Sequence, residues 1–368
     1  MFAPLIALAA AASPATADHV HGVWAGSVGN LSVRACFTRR DDRIFGTYYY
    51  LPQMRLIPLE AEEGSSTVFG ETEAAAPNTP RWRIQSADSN ALAAQWTNGR
   101  RTLPVRLTRV QYVEDEEGPC GSWVFHQPRF ADSRPVSSRA TTDGVAYTSL
   151  ALDLGNRLEG SVRTFALDGD GEPARRINAE LGETLAGDPP GWFECLQRSL
   201  GYSPNQGYFD DSHEPVMITR RWLSVADHWD GYCGGAHPDS SNGWRAFDLD
   251  SGQEVDLYGW FNESAVSRER FEGSEDVLTT MNPPLRDLIL TGWTAEAEEC
   301  GEVIRDQEYW SIGLGRAGMV FSPDLPHVVQ ACGEEFTIPY ARLRPFLTEE
   351  GAANLRALEA ELAARPAG

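Results

Sequence analysis

Lysine is absent. All 31 basic residues of the 368-residue chain are arginine, which reads as base-composition bias in the genome and assigns no function. Acidic residues number 53, for a formal net charge of -22. Like charges repel, so nucleic acid and anionic lipid are poor partners, whereas a basic protein is permitted. Solubility alone also accounts for such a charge. Long apolar runs are missing too: the segment from Phe2 to Ala12 is too short to span a bilayer, and no other stretch qualifies. No pair of cysteines has the C-x-x-C spacing of a zinc or redox site, and neither H-E-x-x-H nor G-x-S-x-G occurs. Asp168-Gly169-Asp170-Gly171-Glu172 lacks the third acidic position and the distal glutamate of a calcium loop, and reads as a turn. No cofactor and no metal is expected.

What is present points outward. The apolar run is broken by Ser13 and Pro14, and Ala15-Thr16-Ala17 is a small-x-small cleavage signature, so residues 1–17 read as a signal peptide, although its start carries no Lys or Arg. The expected location is the periplasm or the extracellular space. Six cysteines, Cys36, Cys120, Cys195, Cys233, Cys300 and Cys332, are an even number in an apparently exported chain. Six cysteines allow about 15 pairings. Placement along the chain favours 36–120, 195–233 and 300–332.

Residues 18–112 read as all-β. Leu31, Val33, Ala35 and Phe37 alternate with polar neighbours, as do Ile44, Gly46, Tyr48 and Tyr50, and Asn98-Gly99 marks a hairpin through positive φ at both residues. This predicts an antiparallel meander curled toward a half-barrel, more naturally filled by its own side chains than by a ligand. The acidic run at 113–122 reads as a solvated linker. Residues 123–368 predict an α+β domain with an antiparallel sheet and two to three helices. Pro173 to Leu185 reads as a helix, Met217 to Val225 as a strand, and Ser274 to Leu290 as a helix kinked at Pro283-Pro284. The last helix follows Thr348.

Several residues are candidates for chemistry. His237 on its glycine turn reads first as structural, with Gly234 and Gly235 supplying unusual backbone angles and Pro238 fixing the exit. Asp210, Asp211, His213, Asp227, His228, Asp230, His237 and Asp239 together hold metal-binding and water-activating residue types, but not at ligand spacing. Ser224 lies within a predicted strand, a poor place for a nucleophile. Of 11 tryptophans, Trp192, Trp222, Trp260, Trp293 and Trp310 read as core. Trp229 and Trp244, in predicted loops beside the turn, are the candidates for an exposed aromatic surface.

The run Tyr232-Cys233-Gly234-Gly235-Ala236-His237-Pro238, followed by Phe247-Asp248-Leu249-Asp250-Ser251-Gly252, resembles the extracytoplasmic C-terminal domain of the RsiV anti-sigma factor and PdaC deacetylase type. Ile177 to Glu180 and Trp222 to Val225 upstream, and Gly318 to Phe321 and Thr337 to Leu343 downstream, follow in the order and spacing of that domain. The resemblance covers roughly the last two-thirds of the chain by pattern. Cys233, Cys332 and Pro326-His327 depart from it. Neither the deacetylase's metal-dependent catalytic domain nor the anti-sigma factor's membrane span and sigma-binding region has a counterpart in these residues. The resemblance therefore implies a non-catalytic envelope module that binds a cell-wall glycan or a wall-attacking basic protein such as lysozyme. Its candidate ligand residues are Tyr232, His237, Asp239, Trp229 and Trp244. The alternative is a peptidoglycan hydrolase using His237 with a nearby Asp.

Overall fold

A computed structural model describes residues 17–41, 43–71, 79–270 and 277–364. Apart from Ala17, the predicted signal peptide lies outside the described residues. Eight strands run up and down in sequence: β1 Gly22–Val28, β2 Leu31–Arg40, β3 Arg43–Tyr50, β4 Ile57–Ala61, β5 Val68–Glu71, β6 Arg81–Ala87, β7 Ala91–Thr97 and β8 Thr102–Val110. β8 pairs back onto β1, so the sheet is a closed barrel where the sequence predicts a half-barrel. The predicted alternation points Val33, Ala35, Phe37, Ile44 and Tyr48 inward, where Trp24, Phe69 and Trp82 complete a packed interior. Each large apolar side chain there contributes roughly 1.5–3 kcal/mol through burial. The interior is a core filled by these side chains. Gly46 is needed inside the barrel, because a Cβ would lie 2.4 Å from the Cys36 carbonyl oxygen. In the β7–β8 hairpin only Gly99 has positive φ; Asn98 instead accepts the Arg100 and Arg101 amides on its side chain.

A second sheet contains β9 Val136–Thr142, β10 Val145–Asp153, β11 Gly160–Leu167, β12 Tyr208–Ile218, β13 Trp222–Tyr232, β14 Asp239–Asp248 and β15 Gln253–Glu254, in spatial order from β15 to β9. It is mixed, because β11 and β12 pair in parallel while the other neighbours are antiparallel. A parallel pair requires a long crossover, and this one carries two helices that cover one face. The helices of seven residues or more among the described residues are α1 Trp123–Phe130, α2 Glu172–Leu181, α3 Phe193–Tyr202, α4 Pro283–Ile289, α5 Glu298–Asp306 and α6 Glu349–Ala364. That exceeds the two or three expected. The chain is α+β, a barrel followed by a mixed sheet and helices.

The remaining strands form two small sheets: β16 Val266–Arg270 with β17 Val277–Met281, and β18 Trp310–Leu314, β19 Met319–Pro323 and β20 Phe336–Ile338. They pack with Trp222, Trp260, Leu355 and Leu358 in one apolar core. Three predicted segments differ. Met217 to Val225 holds a hairpin turn at 219–221, closed by the Trp222 amide donating 2.9 Å to the Thr219 hydroxyl. The predicted helix over 274–290 is strand at Val277–Met281 and helix only from Pro283, since proline fits a first helical turn and not an interior. The helix predicted to Leu185 ends at Leu181 and continues as a 3-10 turn over Glu183–Leu185.

The barrel and the α+β part are joined tightly. The second half of the acidic run is buried, not solvated: Gly118–Gly121 form one helical turn in which Cys120 is disulfide-bonded to Cys36 on the barrel. The Tyr49 hydroxyl donates 2.7 Å to the Phe125 carbonyl, and Arg129 Nε donates 2.9 Å to the Met54 carbonyl. Val23, Cys36 and Tyr49 from the barrel share a core with Phe125, Trp192, Phe193 and Phe209. The other disulfides are Cys195–Cys233 and Cys300–Cys332, so the three pairs are those that placement along the chain favours.

Candidate functional site

Strand alternation sets the site. On β12 it turns Phe209, Asp211 and His213 to the face covered by α2 and α3, and on β13 it turns Asp227 and Trp229 to the same face. The antiparallel register places His213 opposite Asp227 and Asp211 opposite Trp229. On β14, Arg245 joins them from opposite Val225. Leu223, Val225 and Phe247, further along the same face, are buried against Ile177 and Leu181 of α2. The polar residues begin where this apolar packing stops.

The polar groups form a chain. His213 Nδ1 lies 2.6 Å from Asp227 Oδ1, and His213 Nε2 lies 3.6 Å from Asp211 Oδ1. Arg245 donates to Asp227 through Nε at 2.7 Å and Nη2 at 3.2 Å, and its Nη1 lies 3.5 Å from Glu180 on α2. Burial would raise the Asp227 carboxyl, but the bonds from His213 and Arg245 outweigh it and hold this group below the usual carboxylate range. Burial pushes Asp211 up, with His213 and the Thr184 hydroxyl opposing. Glu254 is an exposed residue whose carboxyl is only partly withdrawn from water; it is pushed up to about 7, by that partial desolvation first and then by its hydrogen bond to the Glu180 carboxyl.

Two hollows open over this chain. One, of about 510 Å³, is lined by Glu183, Trp192, Phe209 and Arg198 beside Asp211, His213 and Trp229. The other, of about 500 Å³, runs past Asp227 toward Tyr258, Tyr309, Trp310 and Asp324. Asp211, His213 and Trp229 line both, so the hollows adjoin as one groove. Trp192 stacks on Phe209 at 6.1 Å and is nearly buried, whereas Trp229 is half-buried on the groove floor. An aromatic surface flanked by carboxylates binds polyhydroxyl ligands: the ring takes the apolar face of a sugar and the oxygens accept its hydroxyls.

Of the eight predicted His and Asp candidates, the structure brings Asp211, His213 and Asp227 together. Alternation turns Asp210, His228 and Asp230 to the opposite face; Asp210 pairs with Arg163, and His228 pairs with Asn242 while still lining the rim of the second hollow. His237 and Asp239 lie at the tip of the β13–β14 turn. There the His237 ring stacks on His327 at 4.0 Å, and His327 Nδ1 is 3.5 Å from Asp239. Among the described residues, no carboxylate lies within hydrogen-bond reach of His237. Gly234 and Gly235 both have positive φ, and the Tyr232 hydroxyl donates to the Gly235 carbonyl. Asp239 lines a separate hollow of about 270 Å³. Trp229 and Trp244 sit in strands rather than loops, and Trp244 Nε1 donates 2.8 Å to Glu335. Ser224 is fully buried, its hydroxyl accepting from the Leu314 amide. Arg245, Glu180 and Glu254 were not among the sequence candidates. Their role depends on strand register and helix placement, which no local motif encodes. Among the described residues, no group of three or more His, Cys, Asp or Glu side chains is arranged to hold a metal ion.

No protein-family model matches the chain, and no curated protein matches it. Among solved structures, it is similar to a member of the DUF3298 family from Bacteroides fragilis, at 15% identity and TM-score 0.38, over 63% of this chain and 96% of that one. It is also similar to a DUF3298 family protein from Pseudomonas aeruginosa PAO1, at 9% identity and TM-score 0.35, over 60% of this chain and 95% of that one.

Proposed function

We propose that this chain is an exported envelope protein that binds glycan strands of the cell wall in the groove between the mixed sheet and helices α2 and α3. The observation that carries this reading is the half-buried Trp229 on the groove floor, between Asp211 and the hollow toward Tyr309. Three disulfides suit an oxidising compartment outside the cytoplasm, where wall glycan is the abundant polymer. Calorimetry with soluble wall-glycan fragments tests it: saturable binding is expected, and no heat at millimolar ligand would refute it.

The net charge of -22 favours a second reading, capture of a basic wall-attacking protein such as lysozyme. Titration with lysozyme at low and moderate salt addresses it: affinity that falls with salt supports capture, and no binding at either salt removes it. A catalytic alternative gains more from His213, oriented by Asp227, than from His237. Release of reducing sugar from wall glycan, abolished in His213→Ala, is the result that alternative requires.

A further inference from the structure

The charges along the groove are unevenly spent. Its walls carry six carboxylates, Glu180, Glu183, Glu194, Asp211, Asp227 and Asp324, against two guanidiniums, Arg198 and Arg245, and two imidazoles, His213 and His228. Each guanidinium is already paired, Arg198 with Glu194 at 2.6 Å and Arg245 with Asp227 at 2.7 Å. Asp211 has His213 Nε2 at 3.6 Å; among the described residues, Glu183 and Asp324 have neither an arginine nor a histidine partner. Glu183 and Asp324 are exposed, one lining each hollow, and Asp211 lines both beside Trp229. The half-buried Trp229 indole lines both hollows at the same place, and aromatic π-systems attract cations. Cavity and aromatic floor define a place for a sugar; the unspent carboxylates bear on which sugar it takes.

We infer that the groove selects glycans carrying free amino groups, de-N-acetylated hexosamines, over their N-acetylated counterparts. This rests on the glycan-binding reading above. A protonated amine on the sugar ring supplies the counter-charge the groove lacks and donates charge-assisted hydrogen bonds to the carboxylates. Acetylation replaces that amine with a neutral amide and forfeits the electrostatic part while leaving ring stacking intact.

The test is calorimetry of the full chain, freed of its signal peptide, at pH 6 with two tetrasaccharides of equal length: β-1,4-linked glucosamine and β-1,4-linked N-acetylglucosamine. The free-amine tetramer is expected to bind about fivefold tighter, the size of one partly exposed ion pair. The double variant Glu183→Gln, Asp324→Asn, at two exposed positions, should remove most of that preference without lowering the melting temperature. Equal or tighter binding of the acetylated tetramer overturns the inference and leaves glycan binding standing. A preference that survives in the double variant arises from the overall charge and also overturns it. No binding of either tetramer removes both the inference and the glycan reading.

Discussion

Asp227 accepts from His213 and Arg245 at once, which fixes the His213 ring and keeps the carboxylate charged in a half-buried site. Glu254, close by, does the reverse. Its folded-state pKa of about 7 stands above the ordinary value of 4.5. Its contribution to stability is therefore fully present below about pH 4.5 and is lost as pH rises through 7. Glutamine keeps a hydrogen bond to Glu180 and cannot ionise. Glu254→Gln is expected to match the wild-type melting temperature near pH 4.5 and to exceed it by about 2 °C at pH 8, a modest gain because the residue is exposed. Parallel melting profiles for the two proteins across that range would show that the Glu180–Glu254 pair does not titrate in this way.

The element that fixes one end of the groove is the β13–β14 turn. Its two glycines leave the left-handed backbone region open, and the Cys195–Cys233 disulfide ties it to α3. The bond spans 38 residues, a loop for which chain entropy predicts about 2–4 kcal/mol of stabilisation. The double variant Cys195→Ser, Cys233→Ser should lose that much in urea unfolding and weaken glycan binding, since Cys195 and Cys233 line the groove beside Trp229. Unchanged affinity would mean that the turn does not shape the site. Much at this scale was legible in the sequence. The barrel strands followed alternation, the glycine turn followed its residues, and the cysteine pairs followed their placement. The hairpin at 219–221 was not legible, because Thr219-Arg220-Arg221 has no turn-forming residue and apolar residues flank it on both sides. Helix α3 did carry a signal, with Phe193, Leu196 and Leu200 at helical spacing. The His213–Asp227 pair could be read only once register was known, because the residues are neighbours across strands, 14 positions apart.

At the scale of the whole molecule, barrel and α+β part share one core, one disulfide and one buried arginine. Arg129 is fully buried, with no carboxylate partner among the described residues. It is held by the Met54 and Arg157 carbonyls, His126 Nδ1 and the Gln206 side chain, and burial lowers its pKa to about 9. Arg129→Ala would leave those acceptors unpaired inside the junction and should cost about 3 kcal/mol or more. The shared core also predicts one cooperative thermal transition for barrel and α+β part together. Two resolved calorimetric transitions, with Arg129→Ala shifting only one, would show instead that the parts fold independently.

The central claim is that the groove binds wall glycan through Trp229. The direct measurement is co-sedimentation of the folded, oxidised chain with purified cell-wall sacculi, comparing wild type with Trp229→Ala. Removing one stacking indole should cost about 1–2 kcal/mol, a fall in affinity of about five- to thirtyfold, while the melting temperature stays close to wild type. Wild-type protein in the pellet and variant in the supernatant is the predicted result. Both proteins in the supernatant, or both pelleting equally, would contradict the account.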